Sequence, residues 1–369
     1  MPGPLEGVRV LEIGGSVAAA FAATVLADLG ADVLRIDRAA QVPDAPVEPL
    51  PDPLARGRRS VAVDLKHGDG PAVVLDLVAR ADVLVEGGRP GSAEKLGIGP
   101  EVCLQRNPEL VYGRVTGWGQ DGPLARRAGH DITFLGVTGA LSVPGQAPAT
   151  PPPYYLSSFA GGALQLVIGI QAALLERARS GQGQVIDAAM VEGTALLSVM
   201  VDQWRNTPGR VTVVDAPFYT TYECADGRFL SVGAVEPHFY RELLEKLDLG
   251  DLDLPGQYDE SGWPLLTAKI GEAFLSRDSA EWEKVFADSD ACVAPVLAPA
   301  EVADHPHLRA RGAFVDVGGQ QQPAPAPRFS RSGSVVPAPA PSYAGQHTAS
   351  ALRDWGVDGW TDSGAVRGV

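Results

Sequence analysis

The alternation at the start of the chain most limits what it can fold into. "VRVLEIG" (8–14) is a short β-branched and aliphatic run, followed by "SVAAAFAATVLADLG" and then "ADVLRID" (31–37). Ser16 can cap a helix of small and aliphatic residues that stops at Gly30. Strand, helix and strand in about thirty residues make a βαβ unit, and such a unit predicts parallel pairing. The pattern continues with strands in 58–65, 82–86 and "PELVYGRVTGWG", and a helix over 70–81. A long helix is expected over 158–178, and "GQVIDAAMVEGTALLSVMVDQWRN" reads as a strand followed by a helix. The expected class is α/β, with a doubly wound, Rossmann-like sheet in a large domain spanning 1–206.

The chain has 369 residues, which suggests two domains or one large domain with a satellite. Its 45% hydrophobic content is ample for a core. After 206 the character changes. "FYTTYECADGRFLSVGAV" (218–235) holds two aromatic and β-branched runs around Asp226-Gly227, a hairpin signal, and helical patterns follow at 237–247, 263–276 and 279–288. A smaller α+β domain is therefore expected over 215–310. Residues 311–369 read as a return to the large domain with a Pro/Ala/Gly-rich tail, expected to be loosely packed beyond 331.

A net charge of −15 argues against a nucleic-acid scaffold, though a local cluster of Arg and Lys can still bind phosphate. Three scattered cysteines give neither a disulfide framework nor a zinc site, and no metal is expected. No signal peptide is visible at the N-terminus, and the apolar runs carry charged or polar breaks, so a cytoplasmic protein without membrane spans is expected.

Several motifs can carry chemistry. "EIGGSVAAA" puts glycines between a strand and a helix start, as phosphate sites do, but it is not GxGxxG and a plain turn accounts for it. Arg35, Arg38, Arg56, Arg58, Arg59, Lys66, Arg89 and Lys95 fall at strand ends or loops, where a polyphosphate ligand or plain solvation explains them equally well. "AGHDITF" holds His130, which can give or take a proton near neutrality, beside Asp131 at a helix start; a structural pair is the blander account. Glu236 stands before Pro237 where a strand gives way to a helix, as a helix-initiating carboxylate would. In "YYLSSFAGG" (154–162) a serine N-cap can open a buried helix.

Ordered matches then run through roughly residues 3–334: "LADLGADVLRIDR", "VAVDLK", "EGGRPGSAEKLGIGPE", "VTGWGQDGP", "AGHDI", "GQGQVIDAAMVEG", "YECADGRFLSVGAVEPHFY" and "HPHLRARGAF". In these the chain resembles the α-methylacyl-CoA racemases of the family III CoA-transferase superfamily. The resemblance implies a Rossmann-like large domain plus a small domain, in an interlocked homodimer with each active site between the large domain of one copy and the small domain of the other. It implies CoA as part of an acyl-thioester substrate, lying against Arg38, Lys66, Arg89 and Lys95, with no further cofactor. It also implies α-proton transfer by His130, assisted by Glu236, with Asp131 beside it.

The second proton-transfer residue of these racemases is an aspartate, and its position here is Ser158; the asparagine four residues earlier is Tyr154. A serine hydroxyl is too weak an acid to hold a base form near neutrality, and nothing adjacent in sequence activates it. Losing one proton-transfer group commonly costs ~10²–10⁴ in rate. The expectation is an enolisation enzyme with one face disabled, in which N–H groups at 158–160 still meet an enolate oxygen and Tyr154 shapes the pocket or donates a proton. The alternatives are a conventional racemase, or a CoA transferase or non-catalytic acyl-CoA binder.

Overall fold

The computed structural model describes residues 3–44, 52–141, 151–200, 203, 213, 216–333 and 336–368. The chain divides into two units, Met1–Ser198 with Ala310–Val369, and Val199–Arg309. The sequence boundaries read at 206 and 215 lie outside the described residues.

The first unit opens with β1 (Arg9–Ile13), α1 (Val17–Asp28), β2 (Asp32–Arg38), β3 (Arg58–Val63), α2 (Gly70–Val78) and β4 (Val83–Glu86). It continues with α3 (Ser92–Lys95), α4 (Pro100–Arg106), β5 (Val111–Thr116), α5 (Asp131–Val137), a π-helix (Tyr155–Leu164), α6 (Gln165–Ser180), β6 (Gln184–Ala189) and α7 (Met190–Leu197). The sheet order is β12-β3-β2-β1-β4-β5-β6, all parallel except the final strand β12 (Val366–Arg367), which runs antiparallel to β3. Two-residue alternation along each strand feeds two cores. Val10, Val33, Val83 and Val85 face the side that holds α1 and α6, while Leu11, Leu34 and Leu84 face the side that holds α2. The chain works outward from β1 to β3, then restarts on the other side with β4. The loops after β1 and β4 therefore part from each other and leave a crevice at the C-terminal edge.

Three buried ion pairs lock this frame. Arg58 Nε lies 3.0 Å from Glu12 Oε2, Arg56 2.5 Å from Asp28, and Arg114 2.7 Å from Glu86. Burial pushes the Glu12, Asp28 and Glu86 carboxyls upward and the Arg58 guanidinium downward, opposed by the partner charges.

Two expectations are corrected. The tail beyond 331 is not loosely packed: Ala351, Leu352 and Trp355, on or beside the helix Thr348–Asp354, are buried in the core next to β3. A few large apolar side chains, spaced along a Pro- and Ala-rich segment, suffice to anchor it. The helix expected from 158 starts at Tyr155, and its first ten residues wind as a π-helix in which Phe159 N–H donates to Tyr154 O at 2.9 Å. No serine opens it. Its wide turns are crossed by α7 so closely that a Cβ on Gly193 would stand 1.8 Å from Gly161 O. The whole helix Tyr155–Ser180 is long and apolar enough to cross a membrane by length and composition, but Leu166, Val167 and Ile170 pack it into the sheet's core.

The second unit holds a three-stranded antiparallel sheet of β7 (Tyr219–Glu223), β8 (Phe229–Gly233) and β9 (Val293–Pro295), in that order. The β7–β8 hairpin turns at Asp226-Gly227. Helices Pro237–Lys246, Trp263–Phe274 and Ser279–Phe286 cover a core of Phe218, Tyr222, Phe274 and Trp282. After the second unit in sequence, β10 (Phe314–Val317) and β11 (Gln320–Pro323) pair as a hairpin of the first unit.

Two predictions follow from this packing. Gly193→Ala must push the π-helix off α7, so the urea midpoint is expected to fall by the equivalent of about 1–3 kcal/mol. His347 Nδ1 accepts the Ser60 N–H at 3.2 Å, and burial, then the Arg59 charge, lower its pKa. Its neutral form belongs to the fold, so that contribution is complete above about pH 6.5 and drains away as pH falls through the lowered folded value. Denaturation of wild type and His347→Gln at about pH 8 and about pH 5.5 checks it: the drop on acidification should be smaller in the variant.

Candidate functional site

Three cavities run end to end along the crevice. The first, about 550 Å³, opens beyond β2 and β3 between Arg38 and Lys66, over Ile36 and Leu65. It shares Ile13, Gly14, Arg38 and Leu96 with a second, about 210 Å³, between the β1 and β4 loops. That one shares Gly15, Ser16, Gly87 and Gly88 with a third, about 370 Å³, which reaches His130, Tyr154 and Ser158. The two loops touch at the switch point, where a Cβ on Gly87 would lie 2.3 Å from Ser16 Cβ, so only glycine fits.

The middle of this groove is fixed from below. Glu86 Oε2 accepts the Gly88 N–H at 2.6 Å, Glu86 Oε1 takes Arg114 Nε at 2.7 Å, and Arg114 reaches on to Glu94 at 2.8 Å. The buried carboxylate thus sets the loop that carries Arg89. Arg38, Lys66 and Arg89 line the groove and, among the described residues, none is in an ion pair, whereas Arg35, Arg56, Arg58 and Arg59 are all neutralised by carboxylates. Those four are structural. Lys95, in α3, lines none of the three cavities. Arg127, passed over in the sequence because it lies in a loop away from any strand end, lines the third cavity; its signal was its place three residues before His130.

At the reacting end His130 occupies the N-cap of α5, its main chain clasped by Thr133. The His130 N–H donates to Thr133 Oγ1 at 3.0 Å, and that hydroxyl donates back to His130 O at 2.7 Å. His130 lines the third cavity and also borders a fourth hollow of about 280 Å³, lined by Asp131, Ile132, Pro151, Pro153 and Tyr154. Tyr154 caps the π-helix with φ of 69°, a left-handed conformation unusual for a tyrosine, and stacks on Phe159, which in turn stacks on Phe21 at 4.2 Å.

Asp131 makes its hydrogen bond to the start of the π-helix, not to the histidine, among the described residues. Its side chain is buried, and Oδ1 accepts the Ser158 backbone N–H at 2.6 Å. This overturns one expectation: the Ser158 and Phe159 N–H groups are already engaged by Asp131 and Tyr154 and do not wait for an enolate oxygen. Glu236 belongs to the second unit, exposed at the N-cap of Pro237–Lys246, where its charge adds to burial in raising the Tyr258 phenol.

This arrangement can hold an elongated, phosphate-bearing ligand and work on one end of it with an imidazole. The sequence model of CoA-transferase family III matches residues 5–348. The chain belongs to that family. Among its relatives, the mouse α-methylacyl-CoA racemase is 44% identical over 95% of this chain and 93% of its own length, and the human one 42% over the same shares. A crystal structure of a CaiB/BaiF family protein from Brucella suis superposes with a TM-score of 0.79 at 25% identity, covering 96% of this chain and all of that one. The cations of the groove separate by geometry. Arg38→Ala is expected to weaken ADP binding about tenfold or more, as loss of a charged hydrogen bond does, while Lys95→Ala leaves it unchanged. Isothermal titration with ADP reads both.

Proposed function

We propose that this chain is an isomerase of the racemase type that enolises acyl-CoA thioesters at the α-carbon. The observation that carries the reading is the continuity of the groove, from the unpaired Arg38 and Lys66 at one end to His130 at the other. Adenosine phosphates suit the first cavity, with its apolar floor and two free cations. The pantetheine arm suits the narrow middle, where the loops are glycines and the neighbouring carboxylate is consumed by Arg114. The thioester then falls in the third cavity and its acyl chain in the apolar hollow beside Ile132 and Tyr154.

His130 is the principal acid and base. An imidazole takes the α-proton, the carbon–hydrogen electron pair moves into an enolate on the thioester oxygen, and the imidazolium returns the proton. Ser158 offers no carboxylate of its own on the facing wall, so by its own chemistry turnover is one-sided. Anhydride-type CoA transfer has no nucleophilic carboxylate at that position either.

The exposed apolar face of the π-helix and α6, with Tyr155, Leu156, Leu164, Ile168 and Leu175, supports a dimer. In an interlocked pair the second unit of one copy would bring Glu236 to the His130 of the other.

Incubation of each epimer of a 2-methylacyl-CoA in D₂O tests the reading. Deuterium is expected at the α-carbon by NMR, with the exchange rate falling by roughly 10²–10⁴ in His130→Ala from the epimer whose proton faces that residue. Absence of exchange from both epimers in the wild type would overturn α-carbon chemistry on this substrate class.

A further inference from the structure

The one-sided reading takes Ser158 alone, and the fold does not leave it alone. Ser158 is buried, yet lines the same cavity as His130. Asp131 Oδ1 holds its backbone N–H at 2.6 Å, and Asp131 Oδ2 is buried with no hydrogen-bond partner. An orphaned oxygen on a buried carboxylate is unfavourable, and such a group calls for a reason. The Ser158 hydroxyl, on the residue whose N–H Asp131 already holds, is the group placed to supply the missing partner. Elsewhere in this chain one carboxylate takes both donors of a serine, Asp226 Oδ2 accepting the Ser279 N–H at 3.1 Å and the Ser279 hydroxyl at 2.7 Å, though there a single oxygen serves both. At Asp131 the two donors would divide between the two oxygens, with a staggered χ1 of Ser158 directing the hydroxyl to Oδ2. The start of the helix is stiff enough to keep the pair in register, through the Tyr154–Phe159–Phe21 stack and the tight crossing of α7.

We propose that Ser158 and Asp131 form a proton relay opposite His130, in which the serine hydroxyl touches the α-carbon and the buried carboxylate stores the proton. The proposal rests on the α-carbon reading given above. In one direction Ser158 Oγ accepts the α-proton as its own proton passes to Asp131 Oδ2. The carbon–hydrogen pair becomes the enolate, and imidazolium at His130 protonates the opposite face. In the other direction His130 takes the proton, and Ser158 Oγ–H protonates the enolate while the neutral Asp131 carboxyl refills the hydroxyl. Each turnover leaves one proton moved between His130 and Asp131, and exchange with water resets the pair. Serine never becomes a free alkoxide, which removes the objection that its hydroxyl is too weak an acid. Ser158 is then the catalytic residue and Asp131 a positioning and storage residue acting through it.

Ser158→Ala removes only the hydroxyl and keeps the backbone N–H at 158 for Asp131. Asp131→Asn keeps the acceptor for that N–H and removes the proton store. Exchange in D₂O is measured separately from the two epimers of a 2-methylacyl-CoA. Both variants are expected to slow exchange from the same single epimer by about 100-fold or more, leaving the other within about twofold, and His130→Ala to show the opposite preference. Wild-type exchange rates from both epimers in Ser158→Ala would overturn the relay while leaving the α-carbon reading intact, as would an equal fall for both. Wild-type enzyme that exchanges neither epimer would overturn the underlying reading instead.

Discussion

A carboxylate sealed inside a parallel sheet must be paired, and Glu12 is fully buried at the end of β1 with the Arg58 guanidinium 3.0 Å away. Desolvation of both charges is expensive, so their attraction alone does not make the pair stabilising; its geometry must be shared with other groups. Arg58 spends its remaining donors on Thr24 Oγ1 at 2.7 Å and on the carbonyls of Ala20 and Leu54. One side chain thereby joins β1, β3, α1 and the turn before β3. Breaking it would leave the buried Glu12 with only the weaker attraction of Arg35 to offset its desolvation. The Asp28–Arg56 pair repeats the logic further out, with Arg56 also reaching Gln322 Oε1 at 3.2 Å and so clasping β11.

The same constraint sorts the arginines by purpose. Inside the frame each guanidinium meets a carboxylate, and Glu86 spends its charge on Arg114 and the Gly88 N–H. Along the groove the cations have no such partner among the described residues, so their field is left for a ligand. In a chain of net charge −15 this local reversal of sign is a physical difference that overall composition hides.

How much of this was legible in the sequence follows from range. Two-residue alternation in β1, β2 and β4 and the small-residue helix between β1 and β2 are local, and the family III resemblance covered nearly the whole chain. The same locality explains the misses. The packing of Trp355 and the pairing of β12 with β3 depend on partners hundreds of residues away. The π-helix reflects pressure from α7, not the propensities of "YLSSFAGGAL". Arg56 and Arg58 could not be told from Arg38 by position at a strand end, since only burial and an ion partner separate them. Asp131 was read beside His130 because they are neighbours in sequence, and its contact lies 27 residues on, at Ser158.

That last displacement changes what the serine at 158 means. Judged by its own hydroxyl, it marks a lost acid, and the second wall of the cavity is inert. Judged by its neighbourhood, the wall still holds a carboxylate, moved one side chain back and out of contact with solvent. A proton store in that position differs from a carboxylate facing the cavity in a definite way. In the proposed relay it would meet the substrate only through the serine, accepting or supplying a proton there. The arrangement would therefore separate two chemistries that a single exposed carboxylate can both perform, closing the route to acyl anhydrides while leaving α-proton transfer open.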